Sequence, residues 1–149
     1  MMPDSNVRKA TILDIPFIHQ LVCELAEYEK AKHEVTVDVA QYKVDFEEGL
    51  FEAFVIESQG QIIGTTIFYQ TYSTWKGKMI YLEDFIIAQS HRKKGFGKKL
   101  FDYFIQHCRN VQANIVRWHV LNWNQLAIDF YDKYPVSYSH EWVTVKWEI

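Results

Sequence analysis

The chain has 149 residues, 48% of them hydrophobic and 16% aromatic, which suits one packed domain over 1–149 and excludes a disordered or fibrous polymer. A formal charge of −3 excludes a general attraction to nucleic acid or an anionic membrane, so any basic run must act locally. Cys23 and Cys108 stand singly, without a Cys-x-x-Cys pair, and the polar start Met1-Met2-Pro3-Asp4 lacks a signal core; both point to a reduced, cytoplasmic chain with no membrane span.

In chain order, Val7–Ala10 reads as a short first strand. Asp14 can cap a helix with Pro16 in its first turn, and Ile18, Leu21, Val22 and Leu25 fall on one face of it as far as Glu29. A weaker helix spans Asp38 to Glu48, with Val39, Tyr42 and Phe46 inward and Gly49 as its stop. Phe51–Glu57 and Ile62–Thr71 are β-rich runs joined by the hairpin turn Ser58-Gln59-Gly60-Gln61. The run Met79–Ala88 carries too many large apolar residues for a strand with one wet face, so it belongs centrally, interrupted by Glu83 and Asp84. A helix over Gly97–Arg109 follows, with Leu100, Phe101, Phe104 and Ile105 as its buried stripe. Ile115–Leu121 is a strand, Gln125–Tyr134 a helix and Trp142–Ile149 a final alternating strand. The order β-α-α-β-β-β-α-β-α-β predicts a three-layer α/β domain, a mixed sheet flanked by helices.

The sharpest local signal is a buried strand running into Ser90-His91-Arg92-Lys93-Lys94-Gly95-Phe96-Gly97 and then a helix. Glycines two apart let the backbone turn its amides toward a ligand, and the helix N-terminus adds unpaired N–H groups and a positive dipole end. A pyrophosphate is the natural guest. The segment is neither a P-loop nor a dinucleotide fingerprint, since Leu100 stands where the latter needs a third small residue. On the glycines alone a solvated basic turn fits as well as a phosphate site; the strand and helix on either side favour binding.

Arg92-x-x-Gly95-x-Gly97 resembles the Gln/Arg-x-x-Gly-x-Gly/Ala signature of the GNAT acetyltransferase superfamily. Three further stretches resemble its spermidine/spermine (diamine) acetyltransferase branch: Tyr72 to Lys78, Tyr81-Leu82-Glu83-Asp84-Phe85, and Trp123-Asn124 through Tyr131. The likeness extends to Leu25-Ala26-Glu27-Tyr28-Glu29 and spans nearly the whole chain. It implies that acetyl-CoA is the cosubstrate. Backbone groups of Phe85, Ile86 and Ile87 would hold its pantetheine arm. The loop through Arg92, Lys93, Lys94, Gly95, Phe96, Gly97 and Lys98 would take the pyrophosphate, and Asn124, Gln125, Leu126 and Ala127 would close from the other side.

The same resemblance gives Tyr131 the part of general acid to the leaving CoA thiolate, although helical spacing alone favours a core aromatic there. Glu83 matches the carboxylate near the acceptor amine. An amine with a pKa of about 10.4 is protonated at neutral pH, so a carboxylate can anchor it and, through water, receive its proton. Tyr28, Glu29, Glu83 and Asp84 would line the substrate end, with Glu83 preferred to Asp84 as the acting group. Arg117, Trp118 and His119 align with a substrate-proximal stretch of differing residue types, so His119 reads as an interior or rim histidine.

His19 and Cys23 share a helix face without a second ligand pair at zinc spacing, so no metal is expected. Cys108 has no nucleophile signature, which favours direct transfer over a covalent acetyl-enzyme. The family's glycine after the tyrosine is replaced here by Asp132-Lys133-Tyr134-Pro135. The chain also ends at Ile149, earlier than the polyamine enzymes, whose C-terminal arm contributes to their dimer. A homodimer remains the expectation. Three readings stay open: acetylation of a polyamine or diamine, acetylation of a lysine-like amino acid such as thialysine, and a CoA-binding regulatory module without turnover.

Overall fold

The computed structural model describes residues 3–149. Two compact units divide the chain, one ending at His119 and the other running Val120–Ile149.

The first unit is built on a five-stranded sheet in the order β1-β2-β3-β4-β5: β1 (Ser5–Lys9), β2 (Glu52–Ser58), β3 (Gln61–Ser73), β4 (Gly77–Ile87) and β5 (Ile115–Arg117). The first four strands pair antiparallel, and β5 joins β4 in parallel. The β2–β3 hairpin turns on Gln59 and Gly60 with φ of 51° and 76°, the pair of positive values that a tight two-residue turn needs. Helices cover both faces. α1 (Ile15–Tyr28) and α2 (Val39–Glu47) lie on one, where Ile15, Ile18 and Leu21 pack with Val55, Ile67 and Ile86. α3 (Phe96–Asn110) lies on the other, where Phe68 meets Phe104 and Phe85 meets Phe101.

Local chemistry sets the helix ends. Asp38 accepts a hydrogen bond from the Gln41 amide at 2.9 Å and so caps α2, and Gly49, with φ of 76°, stops it. Before α1, Asp14 accepts from the Thr11 amide and, at 2.7 and 2.9 Å, from the Arg8 guanidinium, which also reaches Glu57. This ties α1 to β1 and β2. Burial alone would raise the Asp14 pKa, but the Arg8 hydrogen bonds hold it below the usual carboxylate range.

Two expectations change. The strand expected over Ile115–Leu121 is only Ile115–Arg117, whereas β4, expected inside the sheet, does lie between β3 and β5. No strand forms over Trp142–Ile149; its alternating Trp142, Val143, Val145 and Trp147 stay exposed, Trp147 at 88%. Alternation produces a strand only where a neighbouring edge supplies the other half of the ladder, and this segment pairs with none of the described strands. In the second unit Asn124 caps α4 (Gln125–Tyr131), its side-chain oxygen accepting from the Ala127 amide at 3.2 Å.

Candidate active site

A register fault in β4 organises the acidic end of the site. Leu82 pairs with Phe68 and Asp84 with Ile67, which are adjacent residues on β3, so Glu83 is an extra residue bulged out of the ladder. In an unbroken strand Glu83 and Asp84 would point to opposite faces. With the bulge, Asp84 joins Ile67 and Ile86 on the α1–α2 face while Phe85 turns to α3, and both carboxylates come within electrostatic reach of Tyr42 on α2.

The surroundings of these groups differ. Glu83 is exposed, and its Oε2 accepts a hydrogen bond from the Tyr69 hydroxyl at 3.2 Å. Asp84 is largely withdrawn from water, and that burial, reinforced by the Glu83 and Glu29 carboxylates, pushes its carboxyl up to about 7. Burial also raises the Glu29 carboxyl and pushes the Tyr42 and Tyr69 phenols up to about 12. Glu29, Glu83 and Asp84, three of the four expected substrate-end residues, therefore form one cluster. Such a cluster suits an ammonium group, whose charge would relieve the repulsion among the acids.

Tyr28, the fourth, is engaged with the phosphate loop. The Arg92 guanidinium carbon lies 5.2 Å from the centre of the Tyr28 ring, while Arg92 Nε donates to the Ile87 carbonyl at 3.0 Å. Arg92 thus ties the end of α1 to the end of β4.

Beyond Arg92 the loop has the shape a phosphate cradle needs. Lys93 and Gly95 have φ of 61° and 88°, and Gly95 is the N-cap of α3 with no side chain capping the helix. The first-turn amides of this 15-residue helix therefore lack the usual internal acceptor. Phe96 is fully buried, so only its backbone can serve a ligand. Lys94 donates to the Ser90 carbonyl, Lys98 pairs with Asp102, and Lys99 is tied to Ser5 of β1.

The β4–β5 register covers only Met79↔Ile115, Ile80↔Val116 and Tyr81↔Arg117. Past Tyr81 no described strand pairs with that side of β4, so the backbone of Phe85, Ile86 and Ile87 has no strand partner there as it runs toward the loop. Two of their side chains are otherwise occupied: Ile86 is in the α1-side core and Phe85 packs on Phe101. An extended, amide-bearing ligand with a phosphate at one end fits that edge and loop together.

Asn124, Gln125, Leu126, Ala127 and Tyr131 lie together on α4 in the second unit. Asn124 is committed to capping, Gln125 donates to Asp129 at 2.6 Å, Leu126 is exposed, and Tyr131 is buried beside Phe130. Cys108 is buried, and burial pushes its thiol up to about 12, which disqualifies it as a nucleophile at neutral pH. His19 and Cys23 face each other, Nδ1 to Sγ at 3.7 Å. Sequence reasoning missed Tyr42, Tyr69 and Tyr81 as members of the acidic site. Only the strand register, which opposes Tyr69 to Tyr81 and bulges Glu83, reveals the latter two.

A mixed sheet whose β4 has no strand partner on one side beyond Tyr81, a glycine-capped helix at its end and an acidic cluster on the α1–α2 face suit a coenzyme-dependent transferase domain. The sequence profile of the "Acetyltransferase (GNAT) family" matches residues 16–134, and the chain belongs to that family. It is an acetyl-CoA-dependent N-acetyltransferase.

A mouse (Mus musculus) thialysine N-epsilon-acetyltransferase is 29% identical over 99% of this chain and 94% of its own. A human (Homo sapiens) spermidine/spermine N(1)-acetyltransferase-like protein 1 is 30% identical over 85% of this chain but only 19% of its own. In fold, the crystal structure of an aminoglycoside acetyltransferase from an uncultured soil metagenomic sample superposes with a TM-score of 0.80 at 18% identity, covering 97% of this chain and 96% of that one.

Proposed function

We propose that the acceptor is a primary amine of a small polyamine or diamine, bound as an ammonium by Glu83, Asp84 and Glu29. The bulge that sets two consecutive acids near a third carries this reading. Acetyl-CoA, when bound, supplies an activated acetyl thioester, and the β4 edge with the Arg92–Lys98 loop has the backbone to hold it. Glu83 anchors the ammonium and, through water, takes the proton that leaves it. The freed nitrogen then attacks the thioester carbon directly, so a C–N bond forms as the C–S bond breaks. The Tyr131 hydroxyl gives its proton to the departing sulfur, and the second proton that the nitrogen sheds as the amide forms restores the tyrosine through solvent.

A lysine-like amino acid such as thialysine is the second reading. Its support is the mouse relative, which matches along nearly its whole length. Three acids favour a multiply charged amine without a carboxylate of its own, which places the diamine first. A homodimer in a reducing, cytoplasmic compartment completes the proposal. Its supports are the exposed apolar tail over 142–149 and the two free thiols.

Tyr131→Phe tests the acid: kcat should fall about 10²–10⁴-fold, the usual range for a positioned proton donor, with acetyl-CoA affinity nearly unchanged. Unaltered kcat would remove Tyr131 from the chemistry.

A further inference from the structure

We infer that Tyr69 is a positioning residue for the acceptor-side carboxylate, holding the bulged Glu83 in one orientation from the neighbouring strand. The inference rests on the assignment of Glu83 made above.

A bulge residue has no ladder partner opposite it, so its side chain must be fixed by something outside the strand. Glu83 is also exposed, and an exposed glutamate samples many rotamers unless it is held. The Tyr69 hydroxyl donates to its Oε2 at 3.2 Å. Tyr69 is itself held: its ring stacks on that of Tyr81, with centroids 5.5 Å apart and planes at 27°, and the two residues are directly opposed across β3 and β4. The Tyr81 hydroxyl in turn shares a short hydrogen bond with His119 Nδ1, beyond the end of β5. A rigid aromatic ring braced from two strands thus presents one donor to one oxygen of Glu83. The other oxygen is left for the ammonium or for the water that carries its proton. With its pKa pushed up to about 12, Tyr69 keeps its proton and remains a donor at working pH.

The test is a double-mutant cycle on the full chain with saturating acetyl-CoA and the best amine of a panel. Tyr69→Phe keeps the stacked ring and removes only the donor, so kcat/KM for the amine should fall about tenfold, the scale of a charge-assisted hydrogen bond. The fall should lie mainly in kcat, with the acetyl-CoA Kd unchanged. In the Glu83→Gln background the same change should have no further effect. A fall of less than twofold in Tyr69→Phe, a fall of equal size in both backgrounds, or a matching loss of coenzyme binding would each overturn the inference. If Glu83→Gln alone retains wild-type activity, the assignment of Glu83 fails and Tyr69 loses its proposed role with it; the single-mutant corners of the cycle tell the two failures apart.

Discussion

Burial and the nearby Glu83 and Glu29 carboxylates push the Asp84 carboxyl up to about 7, so it holds its proton over a pH range where an ordinary aspartate has lost it. The native chain therefore binds more protons than the unfolded one between about pH 4 and pH 7, and this group's contribution to stability falls as pH rises through that window. Asp84→Asn should flatten that part of the stability profile, measured by urea unfolding at a series of pH values; an unchanged slope would contradict the placement of Asp84. A bound ammonium stabilises the charged carboxylate, so amine binding near pH 7 should release a proton. Calorimetric titration in buffers of different ionisation enthalpy reads that release directly. At this scale the sequence was partly legible. Two acids inside an apolar run marked the site, but the bulge that brings them together depends on the pairing of Ile67 and Phe68 across the sheet, which no local pattern encodes.

Among the elements, Gly64 shows how tightly β3 and β4 are joined where the candidate coenzyme edge ends. A Cβ there would come within 2.8 Å of the Ile86 carbonyl oxygen and 2.5 Å of Ile87 Cδ1. The carbonyl is backbone and cannot rotate away. Gly64→Ala should therefore cost about 1–3 kcal/mol, the usual range for overpacking, and weaken acetyl-CoA binding by displacing the end of β4. Thermal unfolding and a coenzyme titration check both, and a variant with wild-type midpoint and affinity would show that β4 can shift freely. Element types were legible wherever period and punctuation agreed: Pro16 in the first turn of α1, Asp38 capping α2, Gln59-Gly60 between two β-rich runs and Gly95 before α3, although the Asp14 carboxylate serves Arg8 and Thr11 rather than capping α1. The segment over 142–149 read as a strand because its apolar residues alternate, yet a strand also needs an edge to pair with. Likewise β5 is short because only Ile115 to Arg117 pair with β4, a limit of the assembled sheet that is invisible in Ile115–Leu121 itself.

For the whole molecule, the exposed Trp142, Val143, Val145 and Trp147 are the largest concentration of uncovered apolar side chains near one end of the chain. Such a stretch favours association with a second copy. Light scattering should give twice the 17.8 kDa chain mass, and Trp147→Ser with Val145→Ser should shift the population toward monomer; a wild-type monomer would refute the dimer. The phosphate turn was readable from Arg92 to Gly97 in sequence, whereas the donor edge beside it is a property of the assembled sheet. Together they suit the acetyl donor that the family uses and leave the acceptor to the acidic cluster. The most direct measurement is CoA thiol release from acetyl-CoA across putrescine, spermidine, lysine and thialysine. Small-amine acetylation predicts turnover highest on a diamine or polyamine and severely reduced by Glu83→Gln; acetyl-CoA binding with no release on any of the four would contradict it.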